Sequence, residues 1–66
     1  MQVMINGETR EVKEGLSLAA LLLELNVQRQ GTAVEINREI VPRAEHTKRL
    51  IAEGDIIEII RMVGGG

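Results

Sequence analysis

Ile56-Ile57-Glu58-Ile59-Ile60-Arg61-Met62-Val63, followed by Gly64-Gly65-Gly66, is the stretch on which the fold turns. β-Branched residues dominate its first eight positions, which favours a strand over a helix. Alternation sets Ile57, Ile59 and Arg61 on one face and Ile56, Glu58, Ile60 and Met62 on the other. The acid at Glu58 marks the second face as wet, so Ile57 and Ile59 are expected to be core. A strand of this kind needs neighbours beside it and a cover above it, and the upstream sequence supplies both.

At the amino end, Met1, Val3 and Ile5 alternate with Gln2 and Met4. Asn6-Gly7 follows, a pair suited to a type I′ turn because both central residues of that turn need positive φ. Glu8 to Lys13 reads as a polar return strand with Val12 as its main apolar contact, so residues 1–13 form a hairpin. Gly15 breaks the strand and Ser17 is placed as an N-cap before Leu18-Ala-Ala-Leu-Leu-Leu-Glu-Leu. Leu18, Leu21, Leu22 and Leu25 form one apolar stripe at helical spacing, and Asn26 is a suitable stop. A helix of about nine residues does not persist alone in water and must pack on the sheet.

Thr32 to Asn37 alternates again around Val34 and Ile36, and the short run Ile40-Val41 is closed by Pro42. Residues 43–53 are polar and irregular, with one short helical turn and a brief strand near Leu50-Ile51 expected; Gly54-Asp55 is a turn. The order is β-β-α-β-β-β, and one sheet covered by one helix is the simplest two-layer arrangement. With the helix as crossover, a later strand lies beside the first. The expectation is an α+β fold, a β-grasp (ubiquitin-like) roll of four or five mixed strands on one helix. Residues 1–63 make the domain and residues 64–66 a flexible tail.

The chain has 66 residues, 44% of them hydrophobic, with no cysteine and no Phe, Tyr or Trp. Its core must therefore be aliphatic, and it has neither a disulfide framework nor a thiolate metal site. Absence of aromatics and a net charge of −2 argue against nucleic-acid binding by base stacking or phosphate neutralisation. No apolar run approaches the ~20 residues of a membrane span, and a secretory pattern is lacking, so a soluble cytoplasmic protein without membrane contact is expected. Other chemical candidates are thin. His46 is the sole histidine and is read as a surface or turn residue. The carboxylates form no convincing acid–base pair, and Arg38, Arg43, Lys48 and Arg49 read as a solvated basic face. Without a phosphate-binding loop the chain is not expected to bind ATP itself.

Three terminal glycines reach about 10 Å when extended, with no side chains to obstruct them. They can carry the Gly66 carboxylate into a narrow channel of another enzyme. A carboxylate is a poor electrophile and needs activation, for example as an acyl-adenylate. The bland alternative is a frayed end or a cloning scar. Near the tail, Met4, Ile60 and Met62 fall on the wet face of the sheet and are candidate partner-docking residues, with ordinary surface the competing reading.

Met1-Gln-Val-Met-Ile-Asn-Gly7, Ile36-Asn-Arg-Glu-Ile-Val-Pro-Arg43, Glu53-Gly-Asp55 and Val63-Gly-Gly-Gly66 together resemble the ThiS family, the sulfur carriers of thiamine (thiazole) biosynthesis. The resemblance implies that Gly66 is the modified residue and Gly64 and Gly65 the arm inserted into partner active sites. It implies an E1-like, ThiF-type adenylyltransferase using ATP and Mg²⁺ to adenylate Gly66, and a cysteine desulfurase relay supplying sulfur for a thiocarboxylate. A ThiG-type thiazole synthase then accepts that sulfur. The chain itself would be a carrier rather than an enzyme and bind no cofactor or metal. Two other readings stand beside this one: the small subunit of molybdopterin synthase, and a ubiquitin-like modifier or interaction module.

Overall fold

β1 (Gln2–Ile5) and β2 (Glu8–Glu11) form the amino-terminal hairpin of the computed structural model, which describes residues 1–62. Ile5 lies opposite Glu8, leaving Asn6 and Gly7 as a two-residue turn with φ of 49° and 84°. Both values are positive, as a type I′ turn requires. Val3 and Ile5 point inward while Gln2 and Met4 face out, as the alternation predicts. At the open end the Met1 ammonium donates to the Glu11 carboxylate at 2.8 Å, and this hydrogen bond raises the pKa of the amine above its ordinary value.

Helix α1 (Leu18–Glu24) has seven residues, two fewer than the leucine pattern suggests. Its ends explain the length. Ser17 caps the start, its hydroxyl oxygen accepting from the Ala20 amide at 3.1 Å. Main-chain carbonyls of a distant loop take the two amides before that: Leu18 donates to Arg49 at 2.8 Å and Ala19 to His46 at 2.9 Å. At the other end Asn26 adopts φ 59°, and the Asn26 and Val27 amides fold back on the Leu23 and Leu22 carbonyls. This is a Schellman closure with asparagine in the left-handed position, and it turns the chain before Leu25 can extend the helix.

The remaining strands are β3 (Thr32–Ile36), β4 (Glu39–Ile40) and β5 (Ile56–Arg61). Sheet order is β2-β1-β5-β3-β4, with β1 and β5 parallel and every other pair antiparallel. The expected β-grasp topology is therefore present: the helix carries the chain across so that the last strand lies beside the first. Between β4 and β5, a 3₁₀ turn at Arg43–Glu45 matches the expected helical turn. The strand expected near Leu50-Ile51 contracts to one bridge between Ser17 and Leu50. Helix α1 packs Leu18, Leu21 and Leu22 against Val3, Ile5, Val34, Ile36 and Ile57 of the sheet. Val41 and Ile51 close the rim, and Leu25 and Ile59 are only half-buried. Among the described residues no helix is long and apolar enough to cross a membrane.

His46 departs from its surface expectation. It is only 2% exposed. Because the loop after the 3₁₀ turn folds under the helix to cap its first amides, the ring is drawn inward. Its Nε2 lies 3.0 Å from the Val41 carbonyl, which can only accept, so Nε2 carries the hydrogen. Nδ1 has no partner.

Candidate functional site: the outer sheet face and the root of the tail

The two flanks of β5 are held differently. On the β1 side, regular pairing joins Met4 to Ile56 and Ile5 to Ile57. Beyond that point Asn6 continues the ladder. Its amide donates to the Ile57 carbonyl at 2.9 Å, and its side-chain oxygen accepts from the Ile59 amide at 2.7 Å. On the β3 side the pairing runs further, to Thr32 opposite Arg61, and the Met62 amide then donates to the Gly31 carbonyl at 2.8 Å. Among the described residues the strand is thus guided to Met62 from the β3 side, by β3 and the glycine before it. The expected site residues Gly64, Gly65 and Gly66 lie outside the described residues, as does Val63.

The three docking candidates are all exposed. Met4 is 38% and Met62 61% exposed, with Ile60 between these values. They do not form one compact cluster. Met4 is in register with Ile56, and Ile60 lies four residues further along β5, roughly 13 Å away at strand rise. Glu58 stands between the two isoleucines on that face. Ile56 and Ile40 add to the exposed apolar surface. Ile56 was readable from the same alternation that placed Ile60. Ile40 was not, because its face depends on its pairing with Glu35.

The buried polar groups serve the fold. Asp55 accepts from the Ala52 amide at 2.8 Å and from the Asn37 carboxamide at 3.0 Å, with the Arg49 guanidinium 3.7 Å away. Of the basic residues, Arg38, Arg43 and Lys48 are exposed and Arg49 is half-buried. Among the described residues no three His, Cys, Asp or Glu side chains converge as a metal site. What this surface offers is a partly apolar sheet face on the strand that precedes the terminal glycines in the sequence.

A roll of this topology with a glycine end matches the model of the ThiS family across residues 3–66. The chain belongs to the ThiS family. Two relatives of nearly equal size match it over almost their whole length. The sulfur carrier protein ThiS of Escherichia coli (strain K12) is 30% identical over 66 residues, covering all of both chains. That of Thermus thermophilus is 36% identical over 64 residues, covering 97% of this chain and 98% of the relative. A thiazole synthase of Paramagnetospirillum magneticum is 41% identical over the whole of this chain, which spans only 20% of that protein. Among solved structures, the crystal structure of the thiamine biosynthesis protein ThiS from Geobacter metallireducens superposes with a TM-score of 0.89 at 32% identity, covering both chains fully. The ThiS fold and this chain's fold are the same β-grasp roll.

Proposed function

We propose that this chain is a sulfur carrier for formation of the thiazole of thiamine, with the Gly66 carboxylate as the carrying group. The observation that carries this reading is the family match, which runs through the terminal glycines to residue 66. It is supported by the two relatives named sulfur carrier protein ThiS, each of which this chain covers to 98% or more.

In this reading the chain is a co-substrate, and its partners supply the chemistry in the cytoplasm. An E1-like adenylyltransferase of the ThiF type, using ATP and Mg²⁺, joins AMP to the Gly66 carboxylate with loss of pyrophosphate. The mixed anhydride makes the carbonyl a competent electrophile. The terminal sulfur of a cysteine persulfide on a desulfurase relay then displaces AMP to give an acyl disulfide. A second thiol of the partner machinery cleaves its S–S bond, releasing the thiocarboxylate and forming a disulfide. A thiazole synthase is the acceptor, and support comes from two thiazole synthases in which a segment similar to this whole chain occupies 20% of the protein. A carrier and its acceptor joined in one chain meet at high effective concentration, which is advantageous when the two must meet anyway. Gly64 and Gly65 are the arm that lets Gly66 enter the partners' active sites. Met4, Ile60 and Met62 lie on the face that meets them.

Intact mass after incubation with the activating enzyme, ATP and a sulfur source tests the reading. Replacing oxygen by sulfur adds about 16 Da, and a thiocarboxylate-specific label separates this from oxidation of Met1, Met4 or Met62. Removal of Gly65 and Gly66 is expected to abolish labelling while the unfolding midpoint stays unchanged, since glycines bring no side chain to a core. Absence of labelled product with a competent enzyme would sink the proposal.

A further inference from the structure

The outer sheet face carries an arrangement that the fold alone does not explain. Glu35 of β3 and Glu58 of β5 are directly opposite in the antiparallel register. Opposed residues share a face with Cβ atoms about 5 Å apart, and like charges placed so destabilise a sheet. Among the described residues neither carboxylate has an ion-pair partner. Arg38 borders the same shallow hollow without pairing with either. The two acids are also framed by apolar side chains: Ile56 and Ile60 on β5, Ala33 opposite Ile60, and Ile40 opposite Glu35.

We infer that this face docks a protein surface presenting a cationic side chain, an arginine by shape, within an apolar setting, and that Glu35 and Glu58 receive it together. A guanidinium offers five N–H donors in a planar fork and can bridge two carboxylates, which a point-like ammonium does less well. The surrounding isoleucines would exclude water once covered, and a charge contact gains strength in that drier setting. Repulsion between the acids in the free chain is relieved only in the complex, so the pair favours binding at the expense of the unbound fold.

Position supports the same partner. Gly66 is four residues past Met62, a reach of roughly 13 Å. An enzyme that takes Gly66 into its active site must therefore lie against the end of β5, where Ile60 and Met62 continue into the framed acids. This inference rests on the sulfur-carrier reading, which makes the thiazole synthase the partner to be tested.

The experiment is calorimetric titration of the full-length chain into the purified thiazole synthase of the same organism, at low and moderate salt. Parent, Glu35→Gln/Glu58→Gln and Ile60→Asp are compared, and each is also melted alone. The double variant is expected to bind at least about tenfold more weakly with a shallower salt dependence. Its own unfolding midpoint is expected to be equal or higher. Unchanged affinity in the double variant, with Ile60→Asp still weakened, would overturn the inference and leave the sulfur-carrier reading standing. A lowered midpoint in the double variant would also overturn it, since Arg38 would then serve the pair within the chain. Self-association of the parent that the double variant abolishes would assign the face to a second copy instead. No binding by the parent would remove both this inference and the docking part of the sulfur-carrier reading.

Discussion

Asn6 and Asn37 do the same work on opposite sides of β5. Each opens a two-residue turn in the left-handed region, with φ of 49° and 54°, and each lays its carboxamide along the central strand. The Asn37 amide donates to the Ile56 carbonyl at 2.7 Å, and its side-chain oxygen accepts from the Ile56 amide at 3.0 Å. Its side-chain nitrogen meanwhile donates to Asp55 at 3.0 Å. A carboxamide is needed there because one group must both accept and donate. Asn37→Asp keeps the shape, loses the donor and sets a second carboxylate against Asp55. It is expected to lower stability by about 1–3 kcal/mol at neutral pH. Opposed carboxylates have raised pKa values in the folded state, so the deficit relative to the parent shrinks as the pH falls and one of them protonates. Urea unfolding of both proteins at pH 7 and pH 4 checks this. Asn6-Gly7 was legible as a turn because its chemistry is local. The clamps were not, since Asn6 is 53 residues from Ile59 and Asn37 is 19 from Ile56.

Among the elements, the two hairpin turns make an instructive contrast. β1 and β2 are joined through Asn6-Gly7, with glycine at φ 84°, whereas β3 and β4 are joined through Asn37-Arg38, with arginine at φ 71°. A side chain in the left-handed region costs about 1–2 kcal/mol that glycine does not incur. Glycine also frees the unfolded chain, which offsets part of that gain. Arg38→Gly is therefore expected to stabilise the protein by about 0.5–1 kcal/mol, read as a higher midpoint in thermal unfolding. Helix α1 teaches a related lesson. Its leucine stripe and Ser17 cap were readable residue by residue. Its true length was set by the Asn26 closure, and its first amides by carbonyls of Arg49 and His46 from another part of the chain. The same long-range capping buried His46, which no local pattern marked.

At the scale of the whole molecule, β5 is the keystone, flanked by β1 and β3 and covered by the helix. Ile57 is 0% exposed at its centre. Truncation of such a side chain costs about 2–5 kcal/mol. For a chain of this length the total stability is roughly 3–10 kcal/mol. Ile57→Ala is thus expected to remove a large share of the total stability, read as a lower midpoint in urea unfolding. Ile60→Asp, three residues away on the outer face, should cost about 1 kcal/mol, the span of strand propensity, well below the loss at Ile57. Its main effect should fall on partner affinity, so that one strand separates folding from docking by face. The sequence by itself determined the strand and helix types, the Asn6-Gly7 turn, the inward set of Ile57 and the exposure of Met4, Ile60 and Met62. These follow from period-2 and period-3.6 patterns and from turn chemistry, all of which act over a few residues. Only the tertiary structure decided that Glu35 faces Glu58, that Ile40 joins the outer face, and that His46 lies buried beneath the helix. Those facts depend on register and capping between segments far apart in the chain, which no local pattern encodes.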